Sequence, residues 1–328
     1  MVLSPARSGR GAARVALLLV TAALLFLVPL SYAVAAPAAA STGHSSGLER
    51  TSAPDWMGRL PDSANLAGLS IPGTHDSMAF DSSIISLTQD SDLPEQLRAG
   101  VRALDIRTRH YRDSFPIHHG SEYLHADFAD VVRDTTDFLR DNPTETVLMR
   151  IRSEHTEAEN TRSFEATLNW YVEDNPDTRD RLRDHLWRPP AGYDGRVPDL
   201  GETRGRIVIL QDFDSSVPYG PRWGGDRTDI QDEYHLPTLF HVPQKWDLVR
   251  SHFERTDQGA PDVLHVNHLS ASGGALPVSV AKGALGVTGM NERALDHLEA
   301  GNVRRTGTVM ADFPGPALVE AVIARNLP

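Results

Sequence analysis

The chain has 328 residues, of which 40% are hydrophobic, and sets 32 basic side chains against 44 acidic ones for a formal charge of −12. That acidic balance excludes a nucleic-acid partner gripped by its phosphates and gives no steering toward an anionic membrane. There is no cysteine, so the fold cannot rely on disulfides; about 275 residues from Asp55 onward are enough to build a large core without them.

The first segment reads as an export leader. "MVLSPARSGRGAAR" carries Arg7, Arg10 and Arg14 and no acid, "VALLLVTAALLFLVPL" is continuously apolar, and "AVAAPA" supplies small residues for cleavage after Ala35. The Val15–Leu30 run is short for a membrane span. We therefore expect residues 1–35 to be a secretory signal, the protein to be secreted, and residues 36–54 to be a disordered lead-in. Losing three arginines moves the charge from −12 to about −15. The two lysines, Lys245 and Lys282, stand against thirty arginines, a bias we ascribe to genome composition.

From residue 55 to 328 short apolar runs alternate with amphipathic stretches, with no linker-like break. In chain order the strand candidates are "LAGLSI", "VRALDIR", "FPIHH", "ETVLMRIR", "RIVILQDF", a weaker "DIQDEYH", "VLHVNHL" and "GTVMADF". Helical stripes lie between them: Phe128, Val131/Val132, Thr135 and Phe138/Leu139; Phe164, Leu168 and Tyr171/Val172; Trp246, Val249 and Phe253; and a closing "PALVEAVIARNL". Strands interleaved with helices predict a single-domain α/β fold, an irregular or distorted TIM barrel, with an open doubly wound sheet as the alternative. No glycine cluster opens a helix after a strand as a nucleotide fingerprint requires. The link through "LDIRTRHYRDSFPIHHG" is too short for a crossover helix, which makes the barrel irregular.

Chargeable residues gather at the predicted strand ends: His75 and Asp76, Asp105 and Arg107, His118 and His119, Arg150, Arg152 and Glu154, His265, Asn267 and His268, and Asp312. In a parallel barrel these ends converge on one rim. The stretch "SIPGTHDS" is read as a strand stopped by a Pro72-Gly73 turn that presents His75 and Asp76. Singly, each residue has a bland role as a cap, a turn acceptor or half of an ion pair. Together they are costly to bury unless paired, and they suit a small anionic substrate. Arginine forks fit a phosphate; two imidazoles fit proton removal from an attacking oxygen and delivery to a leaving one. That combination is phosphodiester cleavage. A metal-dependent glycerophosphodiester diesterase or related lipase remains a second reading, with Arg107 repelling a divalent ion beside Asp105 as its weak point. A non-catalytic secreted barrel that binds phospholipid or inositol is the third.

These motifs, "SIPGTHDS", "GVRALDIRTR", "IHHG", "FLRDNPTETVLMRIRSE", "LGETRGRIVIL", "DIQDEY", "HVNHLSASGG" and "VMADF", resemble in order those of the bacterial phosphatidylinositol-specific phospholipases C, from about Leu60 to Leu327. The resemblance implies an irregular TIM barrel and cleavage of phosphatidylinositol to diacylglycerol and inositol 1,2-cyclic phosphate, without cofactor or metal. It implies His75 as general base oriented by Asp312, and His119 as general acid supported by Asp76. Arg107 would hold the phosphate, with Asp105 in its network. Arg152, Arg204, Asp232 and Tyr234 would bind inositol, Arg152 replacing the family's usual lysine. It further implies a monomer making transient contact with a membrane surface. The family's exposed rim tryptophans are missing; Phe80, Ile84, Ile85, Leu276 and Val278 are the apolar residues available instead.

Overall fold

The computed structural model describes Leu48 and residues 52–327. The leader predicted over residues 1–35, and most of the lead-in, lie outside the described residues. Ala53 and Pro54 of that lead-in are bound to the fold, since both of their carbonyls accept from Arg102.

The main sheet contains β1 (Ile71–Thr74), β2 (Ala103–Thr108), β3 (Pro116–His119), β4 (Glu122–Asp127), β5 (Thr146–Ser153), β6 (Arg206–Asp212), β7 (Thr228–Gln231), β9 (Leu264–His268) and β13 (Thr308–Ala311). Two-residue strands β8 (His235–Leu236), β10 (Ser272–Gly273), β11 (Gly283–Ala284) and β12 (Val287–Thr288) form small pairs beside it. The helices are α1 (Leu93–Ala99), α2 (Phe128–Asp141), α3 (Phe164–Glu173), α4 (Arg179–His185), α5 (Leu200–Thr203), α6 (Val242–Gln258), α7 (Pro277–Lys282), α8 (Met290–Glu299) and α9 (Pro316–Ile323).

Seven strands run parallel in the order β6-β5-β2-β1-β13-β9-β7. Among the described residues no ladder joins β6 to β7, so the sheet curls into an incomplete barrel, the form that the expected irregularity takes. The irregularity foreseen after β2 is an antiparallel hairpin: β3 touches β2 only through Thr108 and Ile117, and β4 folds back on β3. Each capped helix starts where side-chain chemistry permits. Asp127 caps α2 with a reciprocal box to Asp130, and Asp92 does the same for α1 with Glu95. The stripes of α2, α3 and α6 bury Val131, Leu168, Phe253 and their neighbours against the sheet.

The first strand departs from expectation. "LAG" is a 3-10 turn, and Ile71–Thr74, including Pro72-Gly73, is the strand itself, paired on both sides by β2 and β13. Gly73 is required by close approach: a Cβ there would fall 2.6 Å from Met310 Sδ and 2.9 Å from Ala103 Cβ. The chain turns only after Thr74. His75 N–H still donates to the Ala311 carbonyl at 3.0 Å, and Asp76 then enters the left-handed region at φ +42°, which Asp tolerates better than most residues.

Candidate active site

The turn after β1 separates two adjacent side chains. His75 points toward the end of β13, where its Nδ1 lies 2.7 Å from Asp312 Oδ1. Asp76 points toward β3, with Oδ2 2.5 Å from His119 Nδ1, a close ion pair outside good hydrogen-bond angles. The turn is held rigidly from below. Ser77 Oγ donates to the Thr74 carbonyl and accepts from Asp105 N–H, while Asp76 N–H donates to Asp105 Oδ2. Gln89 donates to the His75 and Ala311 carbonyls. Backbone strain at Asp76 is thus fixed by its surroundings, as is common where geometry serves chemistry.

Arg107 lies between the two pairs. Its Nε donates to Asp105 Oδ2 at 3.1 Å and its Nη2 to His75 Nε2 at 2.6 Å; Asp76 and Glu154 stand 3.8 and 4.0 Å away. A guanidinium can only donate, so His75 Nε2 accepts from Arg107 and Nδ1–H is directed at Asp312. Burial alone would lower the Arg107 pKa; Asp105, then Asp76 and Glu154, outweigh it and raise it. Burial likewise pushes Asp105 up, but Arg107 and Arg150 hold it well below the usual carboxylate range. His119 is lowered by burial, and the Asp76 carboxylate outweighs this and raises it, keeping a proton available.

The parallel register sets neighbouring side chains in layers. Asp105 lies opposite Arg150, and Arg107 opposite Arg152. Arg150 is buried and donates to Asp212 Oδ2 at 2.6 and 2.9 Å and to Asp105 Oδ1 at 3.3 Å, with its guanidinium 4.1 Å from the Trp223 ring centre. Arg152 is half-exposed, 3.5 Å from Glu154. At the other side, Asp232 stands 4.0 Å from His268, and Tyr234 is exposed on the rim.

His75, Asp76, Asp105, Arg107, His119 and Asp312 are therefore brought into one connected network, with Arg152, Asp232 and Tyr234 near its rim. Arg204 is not. It precedes β6 by two residues and so lies at the opposite end of the barrel from Asp212. There it donates to Asp62 Oδ1 and to the carbonyls of Met57, Leu60 and Thr144. His265 and Asn267 also leave the group expected on the rim, because Asn267 bonds the Val249 carbonyl on α6 and faces outward.

Two residues, Lys245 and Trp223, enter unforeseen, while His268 stands at the strand end where the sequence placed it. His268 is fully buried and meets the His75 ring edge-on at 5.9 Å. Burial, then His75 and Arg150, hold its pKa well below the ordinary value. Lys245 arrives from α6 and donates to Gln231 Oε1 at 3.0 Å and to the Glu233 carbonyl; burial lowers its pKa to about 8 against Asp232, Glu233 and Asp312. Trp223 belongs to an irregular loop whose sequence carries no periodic signal. Period-two alternation in "VLHVNHL" would have placed His268 on the face opposite His265 and Asn267; Lys245 extends the stripe of Val249 and Phe253 by one turn.

A family model described as "Phosphatidylinositol-specific phospholipase C, X domain" matches residues 63–212. The chain is 30% identical over 287 residues to the 1-phosphatidylinositol phosphodiesterase of Listeria monocytogenes, covering 83% of this chain and 84% of that protein. It is 28% identical over 306 residues to the protein of the same name from Staphylococcus aureus, covering 84% and 92%. Among solved structures, the phosphatidylinositol-specific phospholipase C from L. monocytogenes superposes with a TM-score of 0.68 at 27% identity, over 84% of this chain and 99% of that one. A form of the S. aureus enzyme gives 0.71 at 24% identity, over 85% and 99%, and attests the fold alone.

Proposed function

Because the chain belongs to the phosphatidylinositol-specific phospholipase C family, we propose that it cleaves phosphatidylinositol to diacylglycerol and inositol 1,2-cyclic phosphate. The observation that carries this reading is the pair of imidazoles, each backed by a buried carboxylate, on either side of Arg107. The inositol 2-hydroxyl attacks phosphorus, and His75 Nε2 takes its proton. Asp312 holds the ring and supports the imidazolium that forms. His119, with Nδ1 toward Asp76, gives a proton from Nε2 to the departing diacylglycerol oxygen. Arg107 leaves His75 for the phosphate, carrying charge that a metal ion supplies in other diesterases, while Asp105 and Arg150 keep its stem in place. The reaction needs no cofactor. Arg152, Asp232 and Tyr234 contact the inositol hydroxyls.

The protein acts as a secreted monomer after cleavage near Ala35, with its barrel beginning near Asp55. It touches the lipid surface through exposed Ile84 and Ile85 on the loop after β1. Phe80, by contrast, packs against the core. Phosphorus NMR of phosphatidylinositol vesicles, with and without EDTA, tests the reaction. Cyclic phosphate in both samples is expected. No cyclic product between pH 5 and 8 overturns the activity, and loss on chelation with rescue by calcium overturns the metal-free mechanism.

A further inference from the structure

On the outer side of the sheet, β7 and β9 run together with Asp229 opposite His265. Helix α6 covers them and buries Lys245, Val249, His252, Phe253 and Thr256 along one stripe, which delivers His252 to the same point. His252 Nε2 lies 3.5 Å from Asp229 Oδ1, and His265 Nδ1 lies 3.3 Å from Asp229 Oδ2. All three donor atoms fall within 4.8 Å of one another. Bonds of ~2.0–2.2 Å to a tetrahedral ion set ligand atoms about 3.3–3.6 Å apart. The two histidine–carboxylate separations, each to its own oxygen of Asp229, fall in or near that range, and the remaining separations, up to 4.8 Å, shorten as the ion is bound.

The hydrogen bonding points the same way. His265 is buried, yet neither of its ring nitrogens has a partner; His252 is fully buried and leaves Nδ1 without one. Buried polar atoms in native proteins are nearly always partnered, so the unpartnered His265 Nδ1 facing the Asp229 carboxylate points to a further group there, joined by His252 through Nε2. His252 Nε2 bonds only the Asp229 carbonyl at 3.2 Å, a contact given up when its proton moves to Nδ1. Arg255 donates to both oxygens of the Asp229 carboxylate at 2.7 and 3.3 Å. It orients that carboxylate, as hydrogen-bond partners of metal ligands do, and its charge lowers the affinity for a cation.

We propose that Asp229, His252 and His265 form a transition-metal site for Zn²⁺ or a chemically similar ion such as Co²⁺, with water as the fourth ligand. Imidazole and carboxylate donors select such ions over calcium or magnesium. The site takes no part in the reaction. Asp229 precedes Asp232 by three residues and His265 precedes His268 by three. The ion therefore clamps α6 to the two strands whose far ends carry Asp232 and His268.

The test is a Co²⁺ titration of the untagged, chelator-treated full chain. One equivalent with tetrahedral visible bands is expected, with affinity at least ~10-fold weaker in His265→Gln. No saturable bands, or unchanged affinity in His265→Gln, overturns the proposal. If that variant does not fold, side-chain nitrogen NMR of the wild-type chain with Zn²⁺ decides: shifts at His252 and His265 support the site, and shifts confined to exposed histidines such as His125 and His235 overturn it.

Discussion

Arg102 immediately precedes β2 and Arg107 lies near its end, five residues on, so the two sit at opposite ends of the barrel. Arg102, fully buried, has every nitrogen engaged: Nε on Glu145, Nη1 on the Leu97 and Val101 carbonyls, Nη2 on those of Ala53 and Pro54. Burial, only partly offset by Glu145, lowers its pKa to about 10. Arg107 is also largely buried, but its hydrogen bonds leave from Nε and Nη2, with Nη1 4.0 Å from Glu154, and both oxygens of nearby Asp76 lack a well-formed hydrogen bond. A saturated buried charge ties chain segments together; one with donors left over, among excess carboxylates, is prepared for a ligand. The difference between structural and functional arginine lies in the partners.

Substitutions separate the two ends. At the rim, His75→Ala and His119→Ala should each lower kcat by about 10²–10⁴-fold on phosphatidylinositol, with thermal stability near wild type. Arg107→Lys, which keeps charge but loses the planar fork, should lower kcat by about 10²–10³-fold. At the base, Arg102→Met should instead cost about 3–5 kcal/mol in denaturant unfolding, by stranding Glu145, with kcat per folded molecule unchanged. A large kcat loss in Arg102→Met would erase the contrast.

Titration sharpens it further. The His119 pKa is raised in the fold, so its stabilisation is fully present below the unfolded value of about 6.5 and is lost as pH rises through the folded value. Asp76→Asn removes the raising cause, leaves burial, and should move the high-pH limb of the rate profile downward. Asp105 works oppositely: its lowered pKa gives stability present above about 3.9 and lost as pH falls through the folded value. The smallest effect belongs to Arg204→Ala. Its ion pair with exposed Asp62 is worth about 1 kcal/mol or less, and the carbonyl contacts of Met57, Leu60 and Thr144 add to the stability lost, with KM unchanged; a tenfold rise in KM would return Arg204 to the inositol site.

Arg204 also shows where sequence reading loses its grip. A motif gives order along the chain but not which end of a strand a residue occupies, and Arg204 lies before β6 rather than after it. The strand-end residues His119, Asp105, Arg107 and Asp312 were legible because period-two alternation and apolar runs locate strand termini. Pro72-Gly73 reads as a turn in the sequence but lies inside β1, where Gly73 answers to the crowding of Met310 and Ala103. Lys245 and Trp223 depend on tertiary approach, and for Trp223 no local pattern encodes it; His268 was legible as a strand-end residue, but its edge-on contact with His75 was not. The open seam between β6 and β7 depends on long-range pairing that composition does not record.

The crossed pairing of His75 with Asp312 and His119 with Asp76 is the central claim, and leaving-group chemistry tests it most directly. A p-nitrophenyl ester of inositol 1-phosphate departs without protonation, so it needs the base and not the acid. The account predicts that His119→Ala and Asp76→Asn recover most of their lost kcat on this substrate relative to phosphatidylinositol, while His75→Ala and Asp312→Asn stay impaired. Equal losses on both substrates in all four variants, or recovery in the His75 and Asp312 variants, would contradict it.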